Sequence, residues 1–294
     1  MKQREILVLL LSLLASGMLA VLLTPQILAF FGFGGLQLAE LASQTGPNVS
    51  RALLLSQLTY TLILFALPGL YLAQRWKENS AIPELQKPSW TWKESLIAWS
   101  ILPLSLPLLS FLTDYWASLA SQWDFMAPSF NAASTSNQVV EKMVFASTTS
   151  DQLLSLFTFV IAAALAEEWL FRGAIQRVLH ARTLPWLAIT LAGLAFALGH
   201  LNFIQWPFLL SAGMILGFVY WISGRLWVSM GAHVLHNAMT YFFTLEAGRN
   251  QYGNMESSTP IWIILGSGIA TISLSIYLCR KTRNSLKRQD SSLV

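Results

Sequence analysis

The chain has 294 residues, 54% hydrophobic and only 11% charged, with a mean hydropathy of +0.54. Soluble domains carry about 25% charged residues, so this composition excludes a soluble globular enzyme, a disordered chain, a collagen and a coiled coil. It points to a chain whose main solvent is lipid. The net charge of +4 resides in short loops, where it sets membrane orientation, and no nucleic-acid partner is expected.

Eight apolar stretches follow along the chain: 6–32, 52–74, 95–112, 152–171, 185–201, 207–223, 226–244 and 261–279. A helix needs about 20 residues to cross a hydrocarbon core. The expected fold class is therefore all-α, a polytopic membrane helical bundle of about eight transmembrane helices. The first stretch follows Met1-Lys-Gln-Arg4 and reads as a retained anchor, because seven more spans come after it. The third contains Pro103 and Pro107 and is predicted to kink. Between stretches two and three lies an inside loop, 75–94, whose Lys87-Pro-Ser-Trp90-Thr-Trp92-Lys93 reads as an interfacial anchor. Between three and four lies an outside loop, 113–151, rich in Ser, Asn and Gln. The last stretch ends at Cys279, the only cysteine, which excludes an internal disulfide, a CxxC pair and a Cys-based zinc site. The basic tail Arg280–Arg288 is expected to lie against anionic lipid. With both termini cytoplasmic, 15 of the 18 Lys and Arg fall inside, and only Arg51, Lys142 and Arg249 fall outside.

Ionisable groups within a span cost at least roughly 2.5–3.5 kcal/mol each and are functional candidates. All four histidines (His180, His200, His233, His236) and the adjacent Glu167 and Glu168 lie in 152–244. The first three spans carry no comparable group, so the organisation expected is 1–150 for N-terminal helices and the outside loop, 151–245 for a catalytic core, and 246–294 for the last helix and tail. On a helix, Glu168 and Arg172 are four apart and can pair, whereas Glu167 is rotated about 100° away. That makes Glu167 the better candidate for a general base or acid. The alternative is an ion-pair cluster that locks helices. Phe196 and His200 share a face, with Gly199 allowing close helix approach. His233 and Asn237 also share a face and could stabilise an oxyanion, or simply hydrogen-bond between helices. His180, beside Arg177 and Arg182, reads as solvated, and His236 as support or packing. Together the motifs supply a base, a water-positioning imidazole and oxyanion donors. Glu167, His200 and His233 would equally serve as divalent-metal ligands. For Glu167 to lie deep enough, its helix should run from Asp151 to His180.

These residues resemble the motifs of the CPBP intramembrane proteases, which include the type II CAAX prenyl endopeptidases and the bacteriocin-processing or Abi proteins. The EExxxR motif is Glu167, Glu168 and Arg172; FxxxH is Phe196 and His200; HxxxN is His233 and Asn237. The flanking Leu170-Phe-Arg-Gly, Gly217-Phe-Val-Tyr and Leu226-Trp are similar to the bacterial branch. The likeness covers roughly 150–244. It implies a helical bundle that hydrolyses peptide bonds, Glu167 and His200 activating the water and His233 with Asn237 holding the oxyanion. Arg172 would orient Glu168. The cofactor stays open between a divalent metal such as zinc and none. The partners implied are membrane lipid and a peptide or protein substrate, lipidated or not, in a bacterial-type plasma membrane or an internal one. The competing readings are a non-catalytic membrane adaptor or immunity protein, and a small-solute transporter, against which no repeat between the halves is found.

Overall fold

The computed structural model describes residues 3–33, 47–79, 84–249 and 259–291. Nearly all of them are helical and none is in a strand. Nine helices are found among them. These are α1 (Gln3–Phe30), α2 (Asn48–Lys77), α3 (Trp92–Ala120), α4 (Ala127–Val144), α5 (Thr149–His180), α6 (Pro185–Gly199), α7 (Trp206–Ser223), α8 (Leu226–Arg249) and α9 (Ile261–Ser291). The chain is an integral, multi-pass all-α membrane protein. Six helices have the length and hydropathy to cross a bilayer: α1, α2, α3, α5, the Phe203–Ser223 stretch containing α7, and α9 over Ile261–Gln289. The other two predicted stretches are also helical, α6 being apolar but only 15 residues long. The second, α8, has 24 residues and is diluted by His233, His236 and Asn237.

The helix ends follow local chemistry. Thr91 and Glu94 form a capping box at the start of α3, the Thr91 amide donating to Glu94 Oε2 at 2.7 Å. Thr148 caps α5 by accepting from the Asp151 amide. Proline opens both α6 and α7. Gly224 closes α7 in the left-handed conformation, φ +62°.

One expectation is corrected here. Residues 113–151 are not a loop: α3 continues to Ala120, a 3₁₀ turn spans Asp124–Met126, and α4 follows. Polar residues report exposure, not conformation, and α4 gains its purchase from Met143 and Val144, both buried. The prolines of α3 sit inside an unbroken helix.

The helices form two compact units that interleave in sequence. Unit one comprises residues 1–82, 130–175 and 237–253, and its core gathers Leu28, Ala52, Leu53, Leu54 and Met143. Unit two comprises 83–129, 176–236 and 254–294, with a core of Ile101, Leu102, Leu216, Val219, Val228 and Leu278. Within unit two, α6 lies along α7 and α9 along α3.

Candidate active site

In unit one the acidic motif lies on α5, a 32-residue helix that covers the predicted Asp151–His180. Its start is fixed by Arg51, whose Nε donates to Asp151 at 2.7 Å. Its regularity is broken by two π segments, Phe157–Ala162 and Trp169–Gln176, on either side of the two glutamates. Such segments cluster at functional positions. Glu168 is fully buried and pairs with Arg172 Nη1 at 2.9 Å, Arg172 itself being 1% exposed. The i,i+4 pairing expected from the sequence is present. Two charges in so dry a place are tolerable only as a pair. Glu167, on the neighbouring face, is half-buried.

Packing against α2 sets the position of this segment. A Cβ on Gly69 would lie 2.7 Å from the Trp169 carbonyl carbon and 2.8 Å from the Leu170 amide nitrogen. Only glycine lets α2 pass this close to the backbone that follows Glu168. Phe171 rests on Phe65 of the π segment Thr61–Ala66 in α2, ring centroids 6.0 Å apart. Asn237 also belongs to unit one. Its Nδ2 donates to the Phe159 carbonyl at 3.0 Å, and one turn on Tyr241 donates to Ser155 Oγ at 3.2 Å. These two rungs hold the second half of α8 against α5, running antiparallel. The Phe159 carbonyl lies within the first π segment.

The histidines belong to unit two. His200 forms the C-cap of α6 and is exposed. Its Nδ1 lies 2.8 Å from the Phe196 carbonyl. A carbonyl oxygen only accepts, so Nδ1 carries the proton, and in the neutral ring Nε2 keeps the lone pair. The next residue, Leu201, sits at φ +51° and is 78% exposed. A branched side chain in that conformation costs roughly 1–2 kcal/mol, and such strain collects at functional sites. The Phe196 ring lies tilted against His200, centroids 4.6 Å apart, and meets the buried His233 edge-on at 5.9 Å, so the structure brings the FxxxH phenylalanine and both motif histidines together. Phe196 is placed by a glycine crossing. A Cβ on Gly213 of α7 would meet the Gly193 Cα of α6 at 2.9 Å and the Phe196 Cβ at 3.2 Å. His236 is buried against Phe208, ring centroids 5.5 Å apart, which is packing.

Two residues stand differently from expectation or were missed. His180 is not solvated: it is half-buried, its Nε2 3.1 Å from Gln176 Nε2. Gln176, fully buried, donates to the Gly217 carbonyl at 2.8 Å, and a Cβ on Gly217 would strike its Oε1 at 2.8 Å. The signal was available, because Glu168, Arg172, Gln176 and His180 recur every four residues along α5. As for a metal, among the described residues no three His, Cys, Asp or Glu side chains are gathered as a cage requires.

No curated protein and no solved structure matches the chain. Residues 149–239 match the family model described as type II CAAX prenyl endopeptidase Rce1-like. That segment begins at the first residue of α5 and takes in the EExxxR, FxxxH and HxxxN residues. Through it, this segment of the chain is similar to the CPBP/CAAX protease family of membrane endopeptidases.

Proposed function

We propose that the chain is an intramembrane endopeptidase that hydrolyses peptide bonds of a membrane-associated or lipidated protein or peptide. The observation that carries this reading is the bond from His200 to the Phe196 carbonyl. It presents an imidazole of fixed tautomer whose Nε2 can orient a water or take its proton. Glu167 is the principal base. It removes a proton from water, and the hydroxide oxygen bonds to the scissile carbonyl carbon. His233 and the Asn237 amide stabilise the resulting oxyanion. Asn237 has two N–H groups, of which the Phe159 carbonyl takes one. The tetrahedral carbon then expels the amine, which receives the proton from Glu167. Glu168 and Arg172 are positioning residues: paired and buried, they hold the turn on which Glu167 stands.

Each step is assigned to side chains alone, and activity is expected to survive dialysis against a chelator. Stoichiometric zinc with chelator-sensitive activity would transfer the water to a metal. The decisive experiment compares peptide termini in membranes of cells expressing the natural chain or Glu167→Gln at matched levels. A terminus that needs the glutamate establishes proteolysis and names the substrate. Identical termini, with Glu167→Gln still rescuing the knockout, would replace the protease by a non-catalytic adaptor.

A further inference from the structure

At its basic end, α9 carries two grooves, both within unit two. One, of about 490 Å³, is walled by Leu85 and Pro88, by Trp221 and Ile222 of α7, and by Cys279 and Arg283 of α9. The other, of about 540 Å³, runs up α9 past Arg280, Ile276 and Ile272 to Thr271. Twelve residues of helix separate Arg283 from Thr271, about 18 Å. Cys279 and Arg283 line both grooves, so the grooves meet there.

The first groove is a built feature. The segment that forms its outer wall is held by Arg225, which donates to the Pro88 carbonyl at 3.0 Å, and by the Ser89 amide, which donates to Ser285 Oγ of α9 at 2.7 Å. Gly224 packs on the Gln86 carbonyl with no room for a Cβ. In the second groove Ser275 turns its hydroxyl back to the Thr271 carbonyl at 2.8 Å, which leaves the wall largely apolar.

Among the described residues the charge at the junction is uncompensated. The nearby carboxylates are taken, Glu94 by Lys281 at 3.3 Å and Glu84 by Lys87 at 2.7 Å. Among the described residues Arg280 and Arg283 have no ion-pair partner. A walled groove and an open, largely apolar strip of α9 that converge on two such arginines, at the end of a membrane-spanning helix, complement a molecule with two hydrocarbon chains and one anionic head. We propose that this junction is a binding site for an anionic two-chain glycerophospholipid, its phosphate on Arg280 and Arg283 and one acyl chain in each groove. Basic pockets at the ends of transmembrane helices take such headgroups, and the walled groove offers one chain a place out of the bulk bilayer while the second lies along α9. The site involves none of the residues assigned to peptide hydrolysis.

The test uses the full chain, purified in detergent, delipidated and offered phosphatidylglycerol, lysophosphatidylglycerol or phosphatidylcholine, with retained lipid counted by native mass spectrometry. Each basic residue near a headgroup contributes roughly fivefold in affinity. Arg280→Gln with Arg283→Gln should therefore lower phosphatidylglycerol retention about thirtyfold. Lys287→Gln with Arg288→Gln, an equal loss of charge further along α9, should change it less than about threefold. Cys279→Trp, which fills the junction and leaves both arginines, should also expel the lipid. Equal losses in the two charge pairs would reduce the site to general attraction and overturn the proposal. So would equal retention of phosphatidylcholine, or of the one-chain lysolipid.

Discussion

The acidic motif of unit one and the imidazole motif of unit two are secured by different means. On α5, Glu168 and Arg172 are both fully buried, joined at 2.9 Å, and α2 meets the backbone between them, at Trp169 and Leu170, through Gly69. At the end of α6, His200 is exposed, with its Nδ1 on the Phe196 carbonyl and a strained Leu201 behind it. The difference follows from charge. A carboxylate in an apolar interior needs an opposite charge within reach, so its surroundings are built as a lock. An imidazole needs only one acceptor to fix its tautomer, so it can stand at an exposed helix terminus. Burial is concentrated where the ion pair is, and exposure where the imidazole is.

Variants that attack the lock should have the largest effects. Arg172→Leu leaves Glu168 buried without its counter-charge and should cost about 3–5 kcal/mol, read as a collapse of the detergent melting temperature. Removing both charges, with Glu168→Gln and Arg172→Leu together, should restore much of that loss. Next comes Gly69→Ala. Its methyl must displace the Trp169 backbone, at a cost of about 1–3 kcal/mol, and because that backbone carries the glutamates, turnover should fall further than stability does. On the imidazole side the sign reverses. Leu201→Gly should relieve roughly 1 kcal/mol of backbone strain and raise the melting temperature. A loss of activity in that stabilised variant would assign the leucine conformation to function. The smallest effect is expected from Tyr241→Phe, which removes one rung between α8 and α5, about 0.6 kcal/mol.

Much of the acidic half was legible in the sequence because its interactions are local. The i,i+4 spacing of Glu168 and Arg172 dictates their pairing, and the need to bring Glu167 to depth dictated a helix that reaches His180. His200 at a helix end followed from the bounds of the apolar stretch 185–201. What escaped was decided by other segments. Nothing in the text around Gly69 announces that α2 will touch Trp169, because a bare Cα matters only once a second helix arrives. The π segments that flank the glutamates carry no local signature. His180 looked solvated among arginines, yet the partner that covers it, Gln176, is itself fixed by Gly217, 41 residues away. The helix at Ala127–Val144 was hidden by its polarity.

The central claim is that Glu167 and His200 act on one water as a single unit. Once membrane-terminus comparison has supplied a cleaved sequence, the most direct measurement is its cleavage rate by the natural chain, Glu167→Gln, His200→Ala and the double variant. Each single change should lower the rate by about 10²–10⁴-fold with the melting temperature retained. The double variant should be no slower than the slower single, as residues of one catalytic unit behave. If the two losses multiply instead, the residues act independently and the shared-water mechanism is wrong.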